Sequence, residues 1–244
     1  MEYNNNSGIA KGLCVQRGSR IVSREELALV PTPAPTATWR PAAHIEVVCA
    51  VESAARARGR GIAAASFGIT ASGSKLFGVF NFNGREGMES GHSFGIRNSH
   101  DKSLTLSFAV GLRVFVCSNL CFSGEYCVSR KHTSGMDIGE TVELAFEGID
   151  KRYASLEERV DDLKGSFLTT DESTLLVVRA AEMDAIPSCD ILPVLKEYND
   201  PCHEEFALPT RWSLLNAFTE KAKSYPPARA AQCHGRLSQV FQLG

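Results

Sequence analysis

The amino-acid sequence predicts an α+β protein, an antiparallel β meander in the first half packed against a mainly helical second half. Three observations predict it. Between residues 60 and 133 apolar side chains alternate with period two. From Gly135 onward they recur at three-and-four spacing. The strands come first and the helices after, whereas an alternating order would indicate a parallel sheet. With 244 residues and 43% hydrophobic content, the chain is long enough to bury a substantial core.

The elements follow in order. Residues 1–41 read as an extended arm: Asn4, Asn5 and Asn6 open it, and VPTPAPTATWRP favours a polyproline-like path, with Trp39 as an anchor. Residues 42–244 read as one α+β domain, sheet-rich over 60–133 and helical over 137–244. Ile45, Val48, Val51, Ala54 and Ala55 share a helical face, and Gly59 and Gly61 end that helix. GIAAASFGIT and KLFGVFNF form a hairpin around Ala71, Ser72, Gly73 and Ser74. HSFGIRN, SLTLSFAV, LRVFVCSN and GEYCVSRKH supply further strands, with Gly111 separating two of them. Val142, Phe146, Ile149, Tyr153, Leu156, Val160 and Leu163 predict one long helix with an acidic outer face. Thr169 and Glu172 form a capping box before the next helix. Thr210 caps RWSLLNAFTEKAKS, whose Trp212 is expected to be buried and whose Asn216 is expected to reach the sheet or its loops. A short helix around Leu237, Val240 and Phe241 ends the chain.

The net charge of -2 conceals an asymmetry. Residues 56–135 carry +6, residues 136–207 carry -12 and residues 208–244 carry +4. Such a split points either to an anionic partner for the basic part or to internal balance between sheet and helices. MEYNNNSGIAKGL lacks the basic start and apolar run of a secretory signal, and the most apolar stretch is interrupted by Arg113. A soluble cytoplasmic protein without a membrane partner is expected. In that compartment its eight scattered cysteines are reduced thiols.

Residues 94–135 concentrate the chemically useful side chains. A zinc site from Cys117, Cys121, Cys127 and His132 lacks the tight Cys-x-x-Cys knuckle, so no metal and no cofactor is expected. A thiol or acid–base centre has its parts in His100, His132, Cys117, Asn119 and Asp101, whereas adjacent Ser99, His100 and Asp101 point apart. No Walker or dinucleotide loop is present. Nucleic acid fits the remaining pattern. Arg97, Lys102, Arg113, Arg130 and Lys131 suit phosphates, and Asn98, His100, Asn119 and His132 suit directional contacts. Phe80, Phe82, Phe94 and Tyr126 suit base stacking or, for most of them, the core. Residues 98–102 are expected to form a loop near the strand end at 117–119.

RNSHDKS, VFVCSNLCFSGE, RKHT and the T-x-W-S-L-L-N-A-x-T-E pattern at 210–220 together resemble the DUF932 family, over roughly residues 30–237. Its members are phage- and plasmid-like proteins of unknown function. The resemblance implies residence on mobile elements and identifies no catalytic residue. The expectation is a nucleic-acid-binding protein, single-stranded DNA favoured, acting in recombination or replication, with a homo-oligomer as a further expected partnership. Two rivals stay open: an enzyme with a His/Cys/Asp cleft, and a protein-interaction or anti-defence factor.

Overall fold

The computed structural model describes residues 19–83, 90–114, 120–122, 127–225 and 227–243. Its first half is an antiparallel sheet in which chain order equals spatial order for six strands. These are β1 (Ser19–Val22), β2 (Ile62–Thr70), β3 (Lys75–Phe82), β4 (Ser90–Ser99), β5 (Leu106–Val114) and β6 (Leu120–Phe122). The seventh, β7 (Val128–Arg130), pairs with β5 beside β6. From β2 to β5 each short connection returns the chain alongside itself, which only an antiparallel ladder permits, whereas two helices lie between β1 and β2.

One face of the sheet is apolar by alternation. Phe67, Leu76, Phe80, Phe94, Ile96, Phe108, Val110 and Leu112 are buried on it. Gly78 belongs to this face because a Cβ there would stand 2.7 Å from Ile96 Cγ1 and 3.0 Å from Phe67 Cδ1. Helices α2 (His44–Ala57), α3 (Ile138–Phe146) and α4 (Ile149–Gly165) bury Val47, Val51, Phe146, Tyr153 and Leu156 in the same core. Phe146 sits 4.8 Å from the Phe94 ring, and the Tyr153 hydroxyl donates to the Ser93 carbonyl at 2.9 Å.

The remaining helices form the second half: α5 (Thr170–Glu182), α6 (Ile191–Asn199), α7 (Arg211–Ala222) and α8 (Pro227–Phe241). The capping box of Thr169 and Glu172 is formed, and Thr210 caps α7 through Ser213 N at 3.1 Å. Helix α7 is buried nearly all round, including Trp212, Leu214, Leu215 and Phe218. Asn216 is buried with them, and its Nδ2 donates to the Trp212 carbonyl one turn back at 2.9 Å.

Three boundaries differ from expectation. The arm is not wholly extended: β1 adds an edge strand to β2, and Ser23 caps a short helix, α1 (Arg24–Ala28), with Glu26 completing a capping box. Gly111 ends no strand, since it pairs with both Ser93 and Phe122 inside a continuous β5. The long helix is two, because Gly148 adopts φ 67° between α3 and α4. A side chain there is strained, so Gly148→Ala is expected to cost about 1–2 kcal/mol in urea unfolding.

Candidate functional site

The polar motif collects at one end of β3 and β4. Alternation along β4 sends Asn98 toward the helices and Arg97 toward the opposite face. Asn98 Nδ2 donates to the Ala42 carbonyl at 2.8 Å and to His44 Nδ1 at 2.9 Å. That leaves His44 Nε2 as the protonated nitrogen, which donates to the Gly73 carbonyl at 3.0 Å. The His100 ring stacks on His44 with centroids 3.8 Å apart, and its Nε2 donates to the same Ala42 carbonyl at 2.9 Å. These bonds fasten the start of α2 and the chain leading into it to the strand end.

His132 lies in the same buried knot. Neither of its ring nitrogens makes a hydrogen bond of normal geometry, although the Leu104 backbone beside it opposes the lowering of its pKa. Burial, with neighbouring histidines adding to it, pushes His44 down to about 3 and lowers His132. Burial also lowers His100, against the hydrogen bonds that its ring makes to backbone carbonyls. All three imidazoles are therefore neutral near pH 7.

These positions change the assignment of roles. Asn98, His100 and His132 are 0%, 7% and 5% exposed, so they are not open to direct contact with a ligand. The loop begins after Ser99, which is still in β4, and Ser99 Oγ clasps both the amide and the carbonyl of Leu104 at 3.0 Å. Asp101 accepts from Ser103 N at 3.0 Å and from Ser74 Oγ at 3.3 Å, and pairs with Lys75 at 3.7 Å. Ser99, His100 and Asp101 thus serve three separate structural contacts and form no triad.

The cations behave differently. Lys102 stands at the loop tip with φ 64°, its ammonium 4.8 Å from the centroid of the Trp39 ring. Trp39 pairs with Thr133 in an isolated antiparallel bridge, and Arg40 N donates to the His132 carbonyl at 3.1 Å. The bridge therefore sets the backbone of Arg40 against His132, next in sequence to Arg130 and Lys131, with Lys102 above the indole. Arg40, Lys102, Arg130 and Lys131 are all exposed, and none makes an ion pair among the described residues. Asp101, next to Lys102, is engaged in its loop, and Asp137, after Lys131, caps α3.

Arg97 belongs to a second polar patch on the other face of the sheet. Its Nη2 donates to Thr105 Oγ1 at 3.3 Å and to Ser107 Oγ at 3.5 Å. Ser129 Oγ joins the same cluster, 3.0 Å from Ser107 Oγ. Arg113 is described as a ladder position opposite Gly91, whereas Asn119, Cys117 and Tyr126 lie outside the described residues. Phe80, Phe82 and Phe94 are core residues and offer no stacking surface. Cys127 donates to the Phe108 carbonyl at 3.2 Å, and burial raises its pKa. Among the described residues no group of three His, Cys, Asp or Glu side chains is placed to hold a metal. Nor is any of their helices long and apolar enough to cross a membrane.

Sequence reasoning missed Arg40 as a site residue because it lies in the Pro/Thr-rich arm, far from the dense motif. The one available signal was the pair Trp39-Arg40 itself, an aromatic beside a cation in a segment unable to build a core. Comparison with protein-family models, with curated proteins and with solved structures finds no match.

Proposed function

We propose that the protein binds nucleic acid, single-stranded DNA favoured, in phage- or plasmid-type recombination or replication. The supporting observation is the gathering of Arg40, Lys102, Arg130 and Lys131, exposed and without ion pairs among the described residues, around one backbone bridge. Cations left without carboxylates are held in readiness for an external anion. A polyanion is the ligand that engages several at once, because each phosphate contact releases condensed counterions. Asn98, His100 and His132 act one layer below by holding the bridge and the loop in place.

The test is fluorescence anisotropy of a labelled single-stranded oligonucleotide across a salt series. Lys131→Ala and Arg130→Ala are each expected to weaken binding and to flatten the slope of log K against log salt by about 0.7. Absence of measurable affinity for DNA or RNA at low salt overturns the reading. Asn98→Ala is expected to act through the fold, lowering the melting temperature together with affinity. The catalytic rival loses His100 and Asp101, whose polar groups are spent on structural bonds, while the buried His132 ring has no such bond and Cys117 lies outside the described residues.

A further inference from the structure

We infer that Trp39 is a stacking platform for an unpaired nucleobase, with Lys102 as the side chain that the base displaces. The inference rests on the nucleic-acid reading and narrows its ligand to single strands. Trp39 is fixed by backbone bonds on both sides: its bridge to Thr133, the Thr36 amide donating to its carbonyl at 2.8 Å, and the bond from Arg40 N to His132. The indole Nε1 edge is closed to solvent and has no hydrogen-bond partner, while part of the residue stays at the surface. The Lys102 ammonium lies 4.8 Å from the centroid of its ring. The Lys102 backbone is held in place by the Ser99–Leu104 clasp and the Asp101–Ser103 turn.

A cation held over the face of a half-buried aromatic ring is bound more weakly than a stacked base. Exchange of one for the other is therefore favourable, and the released ammonium joins Arg40, Arg130 and Lys131 at the phosphates. A duplex keeps its bases stacked on each other and presents only its backbone to this surface. Trp39 thus supplies what the cations alone lack, discrimination of single strands from duplex. If Trp39 is instead only an anchor for the arm, its replacement affects stability without regard to whether the ligand carries bases.

The experiment follows tryptophan emission and anisotropy with oligo(dT), oligo(rU), an abasic oligomer of equal phosphate count and a duplex, each of about 15 nucleotides. The chain has two tryptophans and Trp212 is buried, so a change in emission reports Trp39. The expected result is quenching by oligo(dT) or oligo(rU), the stronger of the two naming the sugar, with little change for the abasic oligomer or the duplex. Trp39→Ala is expected to lose about tenfold in affinity for the base-bearing strand and less than about twofold for the abasic one. Trp39→Phe should keep the affinity and lose the signal. Should Trp39→Ala fail to fold, the quenching and the Phe variant decide the question. Anisotropy showing binding with unchanged emission, or an equal loss for both oligomers in Trp39→Ala, overturns this inference and leaves the nucleic-acid reading standing. Absence of any binding overturns both.

Discussion

Between pH 7 and pH 4 the folded protein is expected to lose about 6 kcal/mol of stability to two buried histidines alone. His44 is 1% exposed and His234 is 9% exposed, and burial holds them down to about 3 and about 4. In the unfolded chain the same side chains titrate near 6.5. The unfolded state therefore binds more protons throughout the window below 6.5, and stability rises with pH there. The contribution is complete above the unfolded value and falls away as pH drops through it toward the folded value. At pH 4 the difference is about 3 kcal/mol for each of the two, a large share of the roughly 5–15 kcal/mol that holds an ordinary domain together. His100 and His132, also lowered by burial, act in the same direction. Urea unfolding at several pH values measures this. His44→Asn and His234→Gln should each flatten the dependence between pH 6.5 and 4.5, whatever they cost at pH 7. A stability that stays level across that window, or an unchanged slope in both variants, would refute the account.

This prediction depends on burial that the sequence does not reveal, and the same distinction runs through the fold. The capping residues Thr169 and Thr210 are legible because their chemistry is local, a side chain bonding an amide three residues on. The strands from β2 to β4 are legible because alternation is local too, and β5 is legible except for its continuity through Gly111, which only its partners on both sides reveal. Strand β1 is not, since SRIV gains strand character only from pairing with distant β2. The break at Gly148 is hidden because Phe146, Ile149 and Tyr153 keep helical spacing across it, while the chain bends through a left-handed residue. At the candidate site, nearness in sequence gathers Arg97, Asn98 and His100 into one group. Alternation then separates them, Asn98 and His100 beneath the surface and Arg97 among hydroxyls on the other face. Arg40 joins the segment that carries Arg130 and Lys131 only through the bridge between Trp39 and Thr133, a non-local contact with no pattern of its own.

Phe94→Ala is expected to cost about 4–5 kcal/mol, the upper part of the range for truncating a buried aromatic. Phe94 is fully buried in the middle of β4 and meets three rings, Phe146 at 4.8 Å, Phe108 at 5.6 Å and Phe82 at 6.5 Å. Two of these rings lie on strands and one on α3, so the vacated space is bounded by a hydrogen-bonded sheet on one side and a helix on the other. Neither collapses readily into a cavity, and incomplete collapse is what raises the cost above the transfer term. Phe167→Ala is the matched comparison: the same atoms are removed from a residue that is 64% exposed, and the change should stay within about 0.5 kcal/mol. In thermal unfolding the first variant should melt roughly 10 °C lower than the second. Phe94 shares its strand with Asn98 and Ser99, which hold the start of α2 and the 99–104 loop. Below its own melting temperature the Phe94 variant should retain oligonucleotide affinity, because the cations at the strand end do not touch this cluster. Equal melting temperatures for the two variants would show that the Phe94 cluster is not the packing centre of the sheet and helices.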